Sequence, residues 1–155
     1  MTHARKLTLS RLRKFRPGDV FTLAKIFYLT AAVSILQRTS SIPKLVDFFD
    51  TRNPGSSQSP EKMDRVVWLT DSILWFLFSE AFCVKKSLIL FHYGRKFGMP
   101  ISINFGVLKK ADDLKGHAWV EVDGVPFGEE EESSAPFNVI YRRPKLMDQP
   151  HQTGD

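Results

Sequence analysis

The sequence predicts an α+β domain in which N-terminal helices pack on a small antiparallel β-sheet. Three observations carry this. Apolar residues recur at helical spacing through most of residues 18–97. After Pro100 the period shortens to two, with Ile101, Ile103, Phe105 and Val107 alternating with Ser102, Asn104, Gly106 and Leu108. Asp123-Gly124 between apolar flanks then signals a hairpin, so the strands that follow run antiparallel. Helices first and strands afterwards is the order of an α+β layout.

Residues 1–17 form a basic lead-in in which Arg5, Lys6, Arg11, Arg13, Lys14 and Arg16 alternate with Leu7, Leu9, Leu12 and Phe15. No apolar core with a small-residue cleavage site follows in the order of a secretory signal. Residues 18–38 read as a long apolar helix with Asp19 in its first turn. Its apolar run, Phe21 to Leu36, contains Lys25 and falls short of the ~18–20 residues of a membrane span, so it is expected to be a buried core helix and not a transmembrane segment. A short helix follows near Pro43–Phe49, with Ser41 as a cap.

Residues 50–60 are a Pro, Gly and Ser-rich loop ending in Ser59, Pro60 and Glu61, a helix start. That helix is expected to reach about Glu80, with Trp68 and Trp75 on one face in the core. Another helix spans Val84–Phe97 and is stopped by Gly98 and Pro100. Beyond the first strand, Lys109–Gly116 reads as a polar loop. His117 opens the next strand, Phe137–Tyr141 forms the last, and a polar tail follows. The expected organisation is a lead-in (1–17), one domain (18–142) and a flexible C-terminal tail (143–155).

With 155 residues and 43% apolar content the chain can bury one core. A single cysteine excludes a disulfide framework and a cysteine-rich zinc site, and it suits a reducing, cytoplasmic setting. The net charge of +5 favours an acidic partner without choosing one. Nucleic acid is disfavoured, because the basic residues are not interleaved with exposed aromatics in a binding motif. No Gly-rich phosphate loop is present, and neither a cofactor nor a metal is expected.

The candidate chemistry centres on Cys83. It stands at the start of its helix, where free backbone N–H groups and the helix dipole favour a thiolate, with Lys85 and Lys86 nearby. A thiolate needs a base, and the base an orienting group. His3 and His151 lie in the tails, and His92 lies more than two turns along the Cys83 helix. His117, at the start of a strand packing on that helix, is therefore the candidate base. Hairpin register decides the acid. A two-residue Asp123-Gly124 turn places His117 opposite Glu130, whereas a three-residue bulged turn places it opposite Glu129.

The succession of a Cys with a Lys-Ser-Leu-type helix, a Gly-Met-Pro exit, an extended Phe-Gly-Val and the block HAWVEVDG (117–124) resembles the transglutaminase-like cysteine peptidases that serve as leader peptidases in lasso-peptide biosynthesis. The likeness runs from about Cys83 to Glu129 and extends more loosely over residues 18–80. It implies a papain/transglutaminase-like fold, Cys83 as nucleophile, His117 as base and, twelve residues on, Glu129 as orienting acid. The chain departs from the family there, with Gly128-Glu129 where the family tends to have Asn-Asp. The resemblance favours the bulged register. It further implies a precursor leader peptide as substrate, a separate leader-recognition protein and an ATP-dependent lasso cyclase as partners. Two other readings stay open: acyl transfer on the same triad, and a scaffold that has lost catalysis.

Overall fold

The computed structural model describes residues 16–51, 55, 58–78, 82–110 and 113–144. Four helices come first: α1 (Asp19–Leu36), α2 (Ile42–Phe49), α3 (Pro60–Leu77) and α4 (Cys83–Lys96). Strands β1 (Ile101–Lys110), β2 (Asp113–Val122) and β3 (Val125–Phe127) follow, then a single turn of helix, α5 (Glu131–Ser134), and β4 (Asn138–Arg143). The strands form one antiparallel sheet in the order β3-β2-β1-β4.

Alternation along the strands divides the sheet into two faces. Ile101, Ile103 and Phe105 of β1 lie opposite Val122, Val120 and Ala118 of β2, and this face meets the helices. Helix α4 is the centre of the fold. Leu88, Ile89, Leu90 and Phe91 are all buried, so it is apolar nearly all round and is packed by α1, α2 and α3 as well as by the sheet. Gly94 lets β1 lie close, since a methyl there would come within 2.6 Å of the Ile101 side chain. At the end of α4, Gly98 takes φ +66°, and Met99 N–H bonds back to Gly94 carbonyl.

Several expectations need correction. Helix α1 is not a buried core helix. Besides Asp19, only one stripe of it (Ile26, Leu29, Thr30 and Val33) is buried, while Phe21, Phe27, Tyr28 and Ile35 face outward. By length and composition this helix is apolar enough to cross a membrane. Trp75 also lies outside the core, 44% exposed, while its neighbour Leu74 fills it. The polar Lys109–Gly116 segment is largely strand, because Lys109 pairs with Leu114 and Lys110 with Asp113. The ladder needs only backbone groups there, so polar side chains do not prevent it.

Arg142 and Arg143 belong to β4 and not to a tail. Arg142 pairs with Asn104 in the ladder, and Arg143 forms ion pairs with Asp47 and Asp50. Residues 145–155 and 1–15 lie outside the described residues, as do His3 and His151. The hairpin register is the two-residue one: Val122 pairs with Val125, with Asp123 at φ +52° and Gly124 at φ +81°. Positive φ at both central positions is the type I′ geometry, whose twist matches the strands, so no bulge forms there.

Candidate active site

Cys83 is the first residue of α4. The preceding Phe82 offers no side-chain cap, so the first-turn amides are not claimed by a capping side chain. What fixes the thiol is the edge of β2. Strand β3 is only three residues long and pairs no further than Val120 with Phe127, so the β2 edge beyond that point is free. The first turn of α4 docks against it. Ala118 N–H bonds the Cys83 sulfur, and Ser87 Oγ donates to Ala118 carbonyl at 2.8 Å. One residue of β2 thus holds two positions of α4 that are four residues apart and on one helix face.

This docking brings His117, adjacent to Ala118, close enough to the thiol that each side chain shifts the proton affinity of the other. His117 Nε2 in turn lies 3.1 Å from both carboxylate oxygens of Glu129. With Nε2 occupied, Nδ1 is the ring nitrogen left to face sulfur. The structure therefore brings Cys83, His117 and Glu129 together. Glu130 is exposed and takes no part through its side chain; its carbonyl accepts Ser133 N–H.

The acid reaches the imidazole by a route that register reasoning missed. The ladder ends at Phe127, and Gly128 adopts φ +79°, turning the chain so that Glu129 comes back to His117. A Cβ at Gly128 would lie 2.9 Å from Leu90 Cδ1, so both the backbone conformation and the available space call for glycine. Lys86 Nζ donates to Gly128 carbonyl at 2.5 Å and also pairs with Asp71 at 2.7 Å. The helix that presents Cys83 thus also anchors the turn that presents Glu129.

Behind His117 lies a second support. Its ring stacks on Trp119 (centroids 5.8 Å apart, planes 16° apart) and tilts against Phe137 at 5.1 Å. Trp119 Nε1 donates to Glu121 at 2.9 Å, Glu121 pairs with Arg142 at 2.7 Å, and Arg142 Nε donates to Asn104 at 2.6 Å. This network spans β2, β1 and β4. Gly106, opposite His117 in the ladder, leaves room for the stack; a methyl there would meet Trp119 and Phe137 at 2.9 Å.

Electrostatics follow from these contacts. Burial pushes the Cys83 thiol up, but the His117 hydrogen bond, Ala118 N–H, the imidazolium charge and Val84 N–H together bring it below its ordinary value. His117 is pushed up to about 9, first by Cys83 and next by Glu129, against desolvation. The two shifts run in the direction of a thiolate–imidazolium pair. The expected help from Lys85 and Lys86 takes another form: Lys85 lies over the Phe78 ring at 4.6 Å, and Lys86 is engaged with Asp71 and Gly128.

The side chains of His117 and Glu129 remain 16% and 19% exposed, and Cys83 is half-buried, so the site is open to a substrate. Among the described residues no cluster of three His, Cys, Asp or Glu side chains is placed to hold a metal. His92, set aside from the sequence, is tied to α2 by Nδ1 at 3.0 Å from Phe49 carbonyl. The arrangement is equipped for nucleophilic chemistry at a carbonyl: a polarised sulfur, a proton carrier and an acid orienting that carrier. Sequence reasoning missed the parts played by Ser87, Trp119 and Gly128, and gave Lys86 a different one. Only Ser87 carried a usable signal, its i,i+4 spacing from Cys83.

Comparison with curated proteins and with solved structures found no match to this chain. The sequence profile of the Transglutaminase-like superfamily, in contrast, matches residues 29–142. That span covers most of the chain and contains α2–α4, β1–β3, β4 up to Arg142 and all three residues of the Cys83 site. With a mixed helix-and-sheet fold of the papain/transglutaminase type and a cysteine at the tip of its central helix, the chain belongs to the Transglutaminase-like superfamily.

Proposed function

We propose that the protein is a cysteine peptidase that removes the leader peptide from a ribosomally made lasso-peptide precursor. The observation that carries this reading is the Cys83–His117–Glu129 contact at the start of α4. The family covers both peptidases and acyl transferases. The HAWVEVDG block and the Gly-Met-Pro exit after the cysteine helix support the narrower assignment.

The Cys83 thiolate attacks the carbonyl carbon at the end of the leader, and its electron pair forms the C–S bond. The negative charge that develops on the carbonyl oxygen is met by the backbone N–H of Cys83, at the free end of α4. His117, as imidazolium, gives its proton to the departing amine as the C–N bond breaks, leaving a thioester. The now neutral imidazole takes a proton from water. The hydroxide adds to the thioester, and the leader leaves as a carboxylate while the thiolate re-forms. Glu129 keeps the ring oriented and stabilises its charge in both halves. The freed N-terminus of the core peptide then passes to an ATP-dependent cyclase. A separate leader-recognition protein presents the precursor, in the cytoplasm.

The test incubates the purified protein with precursor and leader-recognition partner, and follows product masses for wild type and Cys83→Ala. Wild type releases leader and core with the mass of one water added, and Cys83→Ala leaves the precursor intact. Cleavage by the alanine variant would exclude Cys83 as nucleophile. A leader carrying an added amine in place of water would reassign the protein to acyl transfer.

A further inference from the structure

Helix α1 is turned inside out relative to an ordinary surface helix. Within Asp19–Leu36 the charged residues are Asp19 and Lys25, and both are drawn toward the protein. Asp19 pairs with Arg65 of α3, and Lys25 Nζ lies 5.6 Å from the centroid of the Tyr93 ring of α4. The hydroxyls of Thr30 and Ser34 bond carbonyls one turn back, to Ile26 and Thr30. The outward side is apolar: Val20 is 62% exposed, Phe21 84%, Phe27 57%, Tyr28 63% and Ile35 67%. At 3.6 residues per turn these positions fall within one arc on the order of 120° wide.

Large exposed apolar stripes mark a surface that is covered in use. A protein partner is usually met by apolar groups mixed with hydrogen-bonding ones, and on this arc the Tyr28 hydroxyl is the sole large side chain with a polar atom. The chain just before α1 adds charge of one sign. Residues 1–18 hold Arg5, Lys6, Arg11, Arg13, Lys14 and Arg16 and no Asp or Glu. Cations that directly precede, in the sequence, an apolar ridge bearing Phe and Tyr fit the head-group region of an anionic bilayer. The opposite stripe of α1 is committed to the core, and both charges are bound to the rest of the domain, so the contact is peripheral.

We propose that the outer face of α1 rests on the surface of an anionic phospholipid bilayer, with the basic residues that precede it contacting the head groups. The full chain is sedimented with phosphatidylcholine vesicles, with and without phosphatidylglycerol, over a range of salt. Wild type sediments with the anionic vesicles, less as salt rises, and about a hundredfold less or weaker still with the neutral ones. Phe21→Glu/Tyr28→Glu weakens binding by about tenfold or more. Arg11→Gln/Arg13→Gln/Lys14→Gln weakens it on the order of a hundredfold. Unchanged alkylation kinetics of Cys83 show that each variant is folded.

Failure of wild type to sediment with either vesicle overturns the proposal, as does sedimentation of Phe21→Glu/Tyr28→Glu at the wild-type level. A dimer in solution that this variant converts to monomer would assign the face to a second copy instead. Release from membranes only by detergent, and not by salt or alkaline carbonate, would make α1 a membrane span.

Discussion

Glu129→Gln should lower the pKa of His117, and its size can be worked from the contact. The two carboxylate oxygens of Glu129 lie 3.1 Å from Nε2, so the charge removed is one hydrogen bond away from the ring. At an effective dielectric of about 20, a unit-charge pair at that distance interacts by roughly 5 kcal/mol before solvent screening. The carboxylate is 19% exposed and the glutamine oxygen still accepts a hydrogen bond, so most of that is not lost. We expect a fall of about 1–2 units from the value of about 9, the Cys83 contribution remaining. Imidazole nitrogen shifts followed by NMR across the titration read this without any substrate. The same change should move the alkaline limb of precursor cleavage downward, because the imidazolium that protonates the leaving amine is lost sooner. An imidazole titrating at the wild-type midpoint in Glu129→Gln would refute the claim that this carboxylate holds the ring charged.

Gly128→Ala combines a left-handed φ with a 2.9 Å approach to Leu90 Cδ1, so urea unfolding should show a loss of about 1–3 kcal/mol. A loss below half of that would mean the turn relaxes freely. Lys86→Met removes the bond to Gly128 carbonyl and should lower the His117 midpoint in the direction of Glu129→Gln, with Lys86→Arg restoring part of it. An unshifted midpoint in Lys86→Met would show that the turn holds without this anchor. His92 titrates below its ordinary value, chiefly through burial, with the Phe49 carbonyl opposing and Lys25 and Lys96 adding to it. The native state therefore holds His92 neutral, and the unfolded chain takes up the proton first as pH falls below 6.5. Stability should decline from there down to the folded midpoint, and His92→Gln should flatten that acid limb of Tm; an unchanged limb would assign the decline to other groups. His117 runs the opposite way: its raised pKa gives a contribution complete below 6.5 and lost as pH rises through about 9. His117→Gln should remove that alkaline decline in a Tm series.

Helices, strands and their order were legible because each rests on local periodicity: Ile101, Ile103 and Phe105 alternate whatever lies across from them. The Gly98 stop and the Asp123-Gly124 hairpin were legible for the same reason, since turn chemistry is carried by the residues that make the turn. Cys83 and His117 could be singled out by elimination among one cysteine and four histidines. The wrong register shows where local reading stops. Opposition across a ladder was extended to Glu129 and Glu130, but β3 ends at Phe127.

The amino-acid order by itself determined the α+β layout, the cysteine at a helix start and the Asp123-Gly124 hairpin, all set by neighbours a few positions away; which of the two turn registers forms was decided by the structure. Tertiary structure alone decided that a three-residue β3 leaves the β2 edge open for α4, and that Gly128, anchored by Lys86 from 42 residues earlier, swings Glu129 rather than Glu130 onto the imidazole. It alone decided which side of α1 is buried, because a helix apolar nearly all round carries no moment to orient it. These outcomes depend on contacts between distant segments, whose energies compare alternative packings of the whole chain and leave no periodic trace along it.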